Sequence, residues 1–363
     1  MDIYESRRRR AREIMRQDGV DALVVTSSTD LTYLTGHVGL TASRVTALVF
    51  TDREAVFYTP EFELDHVVPE LRAHARIVGW KEQEDPLAMI ASELPKPAVR
   101  AAIGNQTASS VLIGLQERRP DLQWVQGSDI IGPLRIVKDD EEIENLRIAQ
   151  SKAEEAYVRL TREGIAGLTE RQASQRLSDY LQEAGLRHPG SPIVASGENG
   201  ASPHHLIGDR FIREGDAVVI DFGGQYRGYR ADITRTPVIG YAPEGFKEAY
   251  EVVLAANRAA FEAIRPGAEC QEIDRAARKT IEEAGYGPYF THRLGHGLGL
   301  DGHEEPFLVE GNRKRLQPGH VFTDEPGIYI PGRFGIRIED VVAVTADGAR
   351  HLTSLPRELQ IIG

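Results

Sequence analysis

The chain has 363 residues, 41% hydrophobic and 27% charged, which is typical of globular proteins and excludes a disordered or collagen-like chain. At about 150 residues per domain, this length favours two domains. The formal net charge of −12 argues against a nucleic-acid partner, which needs clustered positive charge. No apolar run approaches the roughly 18 residues of a membrane span. The single cysteine, Cys270, excludes an internal disulfide and a cysteine-based metal cluster.

An arginine run, Arg7 to Arg10, follows the first residues. A secretory signal would continue with an apolar core, and because none follows we expect a cytoplasmic protein. The run is either an anion or partner contact or the solvated face of a first helix, whose apolar side carries Ile14 and Met15. Charge runs are usually solvated, which favours the second interpretation.

Residues 1–134 alternate β-rich runs with helical ones, which predicts a small α/β domain. Strands are predicted over three runs that turn-forming residues bound: Ala22–Thr26, Ala47–Phe50 and Ala55–Tyr58. Helices are predicted around residues 5–18, 61–72 and 107–118. This region contains no cluster of convergent polar residues that indicates catalysis.

A second domain is predicted over residues 135–363, because a long helix begins there. Asp139 and Glu142 have the spacing of a capping box. Apolar residues then recur at helical spacing from Ile143 to Leu160.

The second domain contains a faint internal repeat. The segment Ile212–Asp221 is similar to Leu316–Glu325, and helices are predicted to end at Gly185 and Gly285. Each half therefore runs helix, helix, strand, with an acid at the end of the strand. Two such halves packed face to face would bring the two acids together at a pseudo-two-fold axis, although so short a match can also arise by chance.

Two carboxylates are predicted to meet in a hairpin of this domain. Ala217–Ile220 is an apolar run typical of a buried strand and ends at Asp221, and the returning strand places Asp232 opposite that acid. A buried acid is costly unless it is paired or bound to metal. Either a cation lies between the two acids, or Arg230 or Arg235 neutralises them in a structural ion pair.

Three further side chains of the metal-ligating type follow. Glu325 ends a strand-like run, Glu339 shares a strand face with Arg337, and His296 lies in a glycine-flanked turn. Each of these residues alone would more often be structural. Four acids and one histidine together favour a pair of divalent ions bridged by carboxylates.

The segment Gly297–Gly302 matches the dinucleotide-binding pattern G-x-G-x-x-G. That pattern binds a nucleotide only between a strand and the N-terminus of a helix, and the residues from His303 to Pro306 begin no long helix. We therefore reject a nucleotide site. The chain also lacks the G-x-S-x-G elbow of serine hydrolases.

The metal-ligating residues lie in motifs that resemble those of the pita-bread metallopeptidases. The matching motifs are Asp221-Phe-Gly, Asp232-Ile-Thr-Arg, Gly295-His-Gly-Leu-Gly, Glu325-Pro-Gly and Ile336-Arg-Ile-Glu-Asp. Over its whole length the chain is similar to the proline-specific branch, the Xaa-Pro dipeptidases (prolidases) and the Xaa-Pro aminopeptidases. The resemblance implies a small creatinase-like α/β domain over residues 1–134. It also implies an α+β pita-bread catalytic domain with a pseudo-two-fold internal repeat over residues 135–363.

The resemblance further implies two divalent ions per chain, Mn²⁺, Co²⁺ or Zn²⁺, bridged by Asp232 and Glu339. Asp221 would ligate one ion, and His296 and Glu325 would complete the other. A hydroxide between the ions would attack the scissile carbonyl, and Glu325 would take the proton.

A substrate pocket beside this centre is implied as well. His204 and His303 match the substrate-binding histidines of the branch, and neutral imidazoles there can donate a hydrogen bond to the developing oxyanion. His292 is a further candidate in the pocket, and Arg337 is a candidate for orienting the carboxylates. Two other histidines are expected to be structural: His205 and His320.

The residue at position 307 differs from the one that many dipeptidases of this branch carry. Dipeptidase members often carry an arginine just after the His-Glu-x-Pro segment, where it can hold the C-terminal carboxylate of the substrate, whereas here Phe307 follows. The candidate replacements are Arg44, which follows the glycine-containing stretch 36–43, and Arg293, because arginine binds carboxylate bidentately. Members usually form homodimers, in which a first-domain loop can reach the neighbouring active site.

We therefore predict a dinuclear metallopeptidase that cleaves the Xaa-Pro bond of a dipeptide or short peptide. An Xaa-Pro dipeptidase is favoured over an aminopeptidase P that acts on longer peptides. The alternative class is a non-catalytic binding protein of the same fold. The match of all five ligand positions and both pocket histidines favours the enzyme, with no nucleic-acid or membrane partner.

Overall fold

The computed structural model describes residues 3–39, 44–97 and 99–362, and the chain divides into two compact units between Arg135 and Ile136. Within the described residues, no helix combines the length and the apolar character that crossing a membrane requires.

The first unit is a mixed six-stranded sheet with helices, which confirms the predicted α/β class. The strands lie in the order β4-β3-β2-β1-β5-β6, and β1 pairs antiparallel with β2 and parallel with β5. The strands are β1 (Ala22–Thr26), β2 (Ala47–Thr51), β3 (Ala55–Pro60), β4 (Arg76–Trp80), β5 (Arg100–Ile103) and β6 (Gln123–Gln126). The helices are α1 (Ile3–Asp18), α2 (Thr29–Thr35), α3 (Pro69–His74), α4 (Pro86–Glu93), α5 (Ser109–Arg118) and α6 (Ser128–Ile136).

The helix predicted around residues 61–72 is wrong, because the structure has two shorter elements there. A 3₁₀ helix covers Glu61–His66, and α3 begins only at Pro69. Val67 and Val68 between them are extended, and Val68 directly precedes Pro69, a position at which the helical region is disfavoured.

The arginine run is solvated only in part, because Arg9 and Arg10 are exposed whereas the first two arginines are not. Arg7 and Arg8 are buried, and their guanidinium groups donate to the carbonyl oxygens of Tyr33 and Leu34 in the last turn of α2. These carbonyls have no partner within their own helix, so the two arginines satisfy them.

The second unit contains two helix pairs, each packed on its own sheet. Its helices are α7 (Asp140–Glu163), α8 (Glu170–Glu183), α9 (Phe246–Ala263) and α10 (Cys270–Glu283). Its strands are β7 (Ile193–Ser196), β8 (Val218–Tyr226), β9 (Tyr229–Arg235), β10 (Val238–Ile239), β11 (Gly295–Gly297), β12 (Glu304–Leu308), β13 (Val321–Asp324), β14 (Gly327–Ile330), β15 (Phe334–Arg337), β16 (Asp340–Val344), β17 (Ala349–His351) and β18 (Ile361–Ile362). Short 3₁₀ helices cover Gly197–Ala201 and Gly287–Tyr289.

The first half places α7 and α8 against the sheet β7-β8-β9, and the second half places α9 and α10 against the sheet β12-β11-β13-β16-β17 and the hairpin β14-β15. Helices α8 and α10 both have 14 residues and begin with a capping box. Both are followed by a glycine with positive φ, at Gly185 and Gly285. These correspondences confirm the predicted internal repeat. The halves meet where Thr234 of β9 bridges to Glu339.

A buried ion pair lies directly behind that seam. Arg235 donates to an oxygen of Asp340 at 2.8 Å and also to the carbonyl oxygens of Leu355 and Pro356. The second oxygen of Asp340 accepts from Arg357 at 2.6 Å. One arginine therefore joins β9 and β16 to the C-terminal segment.

Replacing this arginine, as Arg235→Met, should lower the free energy of unfolding by about 3–5 kcal/mol, because it leaves a buried carboxylate and several carbonyls without their donor. Chemical denaturation followed by circular dichroism measures the change. As a control, Arg147→Met removes a solvent-exposed pair with Glu144 and should leave the midpoint nearly unchanged. Equal midpoints for the two variants would contradict the assigned role.

Candidate metal centre

The hairpin of β8 and β9 supplies two of the predicted acids, but in a different register from the one predicted. Asp221 pairs with Thr234, and Asp232 pairs with Gly223. Strand β8 continues beyond Asp221 as far as Tyr226, so the turn comes later than the apolar pattern indicates. The two acids are therefore diagonal neighbours on one face of the hairpin rather than directly opposed.

The histidine lies in a short strand and not in the predicted turn. His296 is the central residue of β11, which pairs with β12 and β13. A Cβ atom at Gly295 would lie 1.9 Å from the carbonyl oxygen of Thr323, and one at Gly297 would lie 2.3 Å from that of Glu305. The flanking glycines thus let the neighbouring strands approach closely. In the sequence alone, the same glycines are typical of a turn.

The remaining two acids lie at strand ends, as predicted. Glu325 directly follows β13, and its backbone N–H donates to the carbonyl oxygen of Leu294. Glu339 lies between β15 and β16, and its backbone N–H donates to the carbonyl oxygen of Thr234. Backbone hydrogen bonds therefore fix both acids against neighbouring strands.

The five side chains converge on one cavity of about 410 Å³ in the second unit. Ligand-type atoms of Asp232, His296 and Glu339 lie within 4.8 Å of one another. The Nε2 atom of His296 lies 3.3 Å from Oε1 of Glu325 and 3.8 Å from Oδ2 of Asp232. Asp221 borders the same cavity and accepts a hydrogen bond from Arg337 at 2.7 Å.

Burial and mutual repulsion raise the pKa values of three of these carboxyl groups. Burial, followed by the charges of Asp221 and Glu325, raises the pKa of Asp232 well above its usual range. Burial and the charge of Asp232 do the same to the pKa of Glu339, and burial raises the pKa of Glu325 to about 7. The cluster therefore resists carrying its full negative charge.

The donor set fits divalent metal ions. Burial lowers the pKa of His296 to about 3, so its imidazole is neutral and offers a lone pair. Carboxylate oxygens and one imidazole nitrogen suit Mn²⁺, Co²⁺ or Zn²⁺. Such a cation would also offset the repulsion that raises the carboxyl pKa values, so these residues fit the group that the resemblance implies.

A hydrogen-bond network that includes residues missed by the sequence reasoning orients the acids. Arg337 donates through Nε to the Thr234 hydroxyl at 3.0 Å, and that hydroxyl donates to Glu339 at 2.5 Å. The Thr323 hydroxyl likewise donates to Glu325 at 3.0 Å. Both threonines lie two positions from a predicted ligand on the same strand face, and this alternation is the signal that could have identified them.

Three histidines that were predicted for the substrate pocket border the same cavity: His204, His292 and His303. The His303 ring stacks on the ring of His296, with centroids 3.8 Å apart. Burial is the largest cause that lowers the pKa of His303 and that lowers the pKa of His292 to about 4. Both imidazoles are therefore neutral near pH 7 and can each donate one hydrogen bond.

The tautomer of His292 follows from its partners. Its Nδ1 lies 2.7 Å from the carbonyl oxygen of Arg293 and must donate, so Nε2 accepts from the Tyr329 hydroxyl at 2.9 Å. That hydroxyl accepts in turn from Arg337 at 2.9 Å. Tyr329, which the sequence reasoning missed, thus links this histidine to the arginine beside the acids.

Two histidines that were expected to be structural have partners of their own. His205 lies 2.9 Å from Oε2 of Glu170, whose other oxygen accepts from Ser196 and Asn199. His320 is buried at the start of β13, and its backbone carbonyl accepts from the N–H of Val344.

The structural ion pair that Arg230 or Arg235 could have made with the hairpin acids is not present among the described residues. Arg235 pairs with Asp340, and Arg337 is the arginine that pairs with Asp221. Arg230 instead borders the cavity, as does the predicted Arg293.

The other candidate arginine belongs to the first unit. Arg44 pairs there with Glu82 at 2.6 Å, and both side chains are largely exposed. Residues 40–43 of the stretch expected to form a loop before Arg44 lie outside the described residues. A role for Arg44 in substrate binding stays a prediction.

Known proteins match both units of the chain. Residues 7–137 match the creatinase/prolidase N-terminal domain, and residues 144–346 match metallopeptidase family M24. A probable dipeptidase PepE of Mycobacterium bovis is 38% identical over 365 residues, or 99% of this chain and 97% of that protein. An Xaa-Pro dipeptidase of Pyrococcus furiosus is 35% identical over 348 residues, or 96% of this chain and 97% of that protein.

Solved structures are similar over the same length. The crystal structure of dipeptidase PepE from Mycobacterium ulcerans has a TM-score of 0.91 at 35% identity, covering 99% of this chain and 98% of that one. An X-Pro aminopeptidase from Thermotoga maritima has a TM-score of 0.86 at 29% identity, covering 98% of this chain and 99% of that one. The predicted fold class is confirmed.

Metal binding should release protons, because carboxyl groups with raised pKa values must ionise to become ligands. The release should be larger at about pH 6 than at about pH 8, since rising pH ionises Glu325, whose pKa is about 7, before Mn²⁺ arrives. His296 is neutral throughout this range and contributes no proton. Calorimetric titration of metal-free protein in buffers of different ionisation enthalpy measures the release.

The control for this titration is Glu325→Gln, which should release fewer protons at the lower pH. A binding enthalpy that does not depend on the buffer would show that the acids are already ionised without metal.

Proposed function

Because the chain belongs to metallopeptidase family M24 and carries a creatinase/prolidase N-terminal domain, we propose that it is a dinuclear-metal exopeptidase that cleaves the Xaa-Pro bond of dipeptides. Its membership makes it a peptidase. The observation that supports the finer proposal is the convergence of five ligand-type side chains and three histidines on one cavity.

We assign the two ions to the ligand set that the sequence predicts. Asp232 and Glu339 would bridge the ions, Asp221 would complete one, and His296 with Glu325 would complete the other. When bound, two such ions lower the pKa of water and stabilise negative charge on oxygen.

Glu325 is suited to move the proton of the reaction. It borders the cavity beside His296, and as an ionised carboxylate it can take a proton from the attacking water and later give it up. The proline nitrogen carries no hydrogen in the peptide bond, so it must gain a proton to leave as a secondary amine. The same carboxyl group can supply that proton.

His303 and His204 are suited to bind the substrate carbonyl. His303, which its lowered pKa keeps neutral, can donate to the oxygen that becomes negative in the transition state, where a preorganised donor has its largest effect. A ring nitrogen of His204, which borders the same cavity, can donate there as well. The stacking of His303 on the His296 ring holds one donor beside the acids.

The names of similar proteins favour a dipeptide substrate over a longer peptide. The relatives with the higher identities carry the names dipeptidase and Xaa-Pro dipeptidase. An aminopeptidase P stays the second candidate, because an X-Pro aminopeptidase shares the fold over nearly the whole chain. Homodimer formation, a cytoplasmic location and the choice among Mn²⁺, Co²⁺ and Zn²⁺ stay predictions from the sequence.

Protein reconstituted with Mn²⁺, Co²⁺ or Zn²⁺ should hydrolyse Leu-Pro faster than Leu-Pro-Ala, and Leu-Ala only slowly. Initial rates at equal substrate concentration give the comparison. Faster cleavage of the tripeptide would support the aminopeptidase instead. Metal-loaded protein that cleaves none of these peptides would support the non-catalytic binding protein.

The variant His303→Ala should fold and keep its metal while its kcat falls at least tenfold, since a lost oxyanion donor costs about 10²–10³ in rate. Steady-state kinetics and metal analysis of the same sample test this. His66→Ala, at an exposed position of the first unit, serves as the control. Loss of metal together with activity would make His303 a ligand and this assignment wrong.

A further inference from the structure

Two arginines border the metal-binding cavity without a carboxylate partner. Among the residues that the structure describes, no carboxylate oxygen lies within 4.0 Å of the side-chain nitrogens of Arg230 or Arg293. The other arginine that borders the cavity, Arg337, is paired with Asp221. The cavity therefore contains two positive charges that no acid of the described chain neutralises at close range.

The surroundings of Arg230 place its side chain beside the histidine proposed to bind the carbonyl. Its backbone N–H donates to the carbonyl oxygen of Gly299 at 2.9 Å. A Cβ atom at Gly302 would lie 3.4 Å from Cδ of Arg230, so the side chain runs along the residue just before His303. The Nε atom of this arginine is buried and has no hydrogen-bond partner among the described residues. A buried donor without a partner is unfavourable, and a ligand in the cavity would relieve it.

The surroundings of Arg293 explain the phenylalanine that departs from the expected pattern. The guanidinium carbon of Arg293 lies 4.4 Å from the centroid of the Phe307 ring. A guanidinium over an aromatic face is attracted to it, so Phe307 holds this arginine in place. Phe307 stands where many dipeptidases of this branch carry an arginine and has no positive charge itself. Arg293, from another segment, places a positive charge beside it.

We propose that Arg230 and Arg293 together bind the C-terminal carboxylate of the substrate and thereby restrict hydrolysis to dipeptides; this rests on the Xaa-Pro peptidase function proposed above. In an Xaa-Pro dipeptide, only the proline nitrogen and Cα separate the scissile carbonyl from the terminal carboxylate. A substrate whose carbonyl contacts His303 therefore brings its carboxylate close to the anionic metal ligands. The two free guanidinium groups offset that repulsion and can bind carboxylate oxygens through paired N–H donors.

The test compares a free carboxylate with an amide of the same shape. In Mn²⁺-loaded enzyme, Arg230→Gln and Arg293→Gln should each raise KM for Leu-Pro about tenfold or more, which corresponds to about 1.4 kcal/mol of binding. KM for Leu-Pro amide should change less than about twofold, because that substrate has no charge to bind. Arg213→Gln, an exposed arginine of the same unit, is the matched control and should leave both KM values unchanged.

A second readout does not depend on turnover. Calorimetric titration with L-proline and L-prolinamide should show tighter binding of proline to the unmodified metal-loaded protein, and the double variant should lose this preference. An equal rise of KM for both substrates, or a double variant that keeps its preference for proline, would overturn the carboxylate assignment while leaving the peptidase function intact. Failure of the unmodified protein to cleave any Xaa-Pro peptide would instead overturn the proposed function, and with it the inference.

Discussion

The structure of the second unit depends on how it tolerates several acidic side chains in one buried cavity. Carboxylates repel one another more strongly as the surrounding dielectric falls, and burial removes the water that would otherwise screen them. The raised pKa values of Asp232, Glu325 and Glu339 are the direct expression of this constraint. Without a bound cation, the folded state is more stable when these carboxyl groups are protonated. The free energy of unfolding therefore falls as pH rises through their raised pKa values. A bound metal reverses that balance, because it stabilises the folded state in which the ligands converge.

The fold meets this constraint by holding each acid on a different piece of backbone. Arg337 contributes positive charge directly to Asp221 and, through the hydroxyl of Thr234, fixes Glu339. Behind it, the buried pair of Arg235 and Asp340 ties the strands of the two halves together. Asp221 and Asp232 lie in strands, and backbone hydrogen bonds fix Glu325 and Glu339 against neighbouring strands, so the ligands keep their spacing when their charge changes. The pseudo-symmetry of the halves therefore has a chemical consequence: the seam between them is the place where acids from both can share one ion.

The fold class and the identity of the ligands could be predicted because each rests on a local pattern. Helix caps, apolar periodicity and short motifs around the acids depend on neighbouring residues, and these were correct for α7 and the internal repeat. The register of the hairpin could not be predicted, since the turn at Arg227 and Gly228 sets it and the apolar run stops before that turn. Burial of Arg7 was missed for a different reason, because only tertiary packing brings it to the carbonyl end of another helix.

In the described part of the chain, the three arginines that border this cavity differ in whether a carboxylate lies close to them, and this difference determines which of them can bind an anionic ligand. An arginine that shares its charge with an adjacent carboxylate presents little net field to a ligand, and Arg337 is in that position. An arginine in a half-buried cavity without such a partner attracts an anion through a reduced dielectric, and Arg230 and Arg293 are in that position. Arg337 is thus paired directly with one of the clustered acids, whereas Arg230 and Arg293 border the same cavity without a carboxylate at salt-bridge distance among the described residues. A ligand with an uncharged polar end and a negative end matches this arrangement better than one that is neutral throughout, so the distribution of paired and unpaired cations favours a short substrate that ends in a free carboxylate.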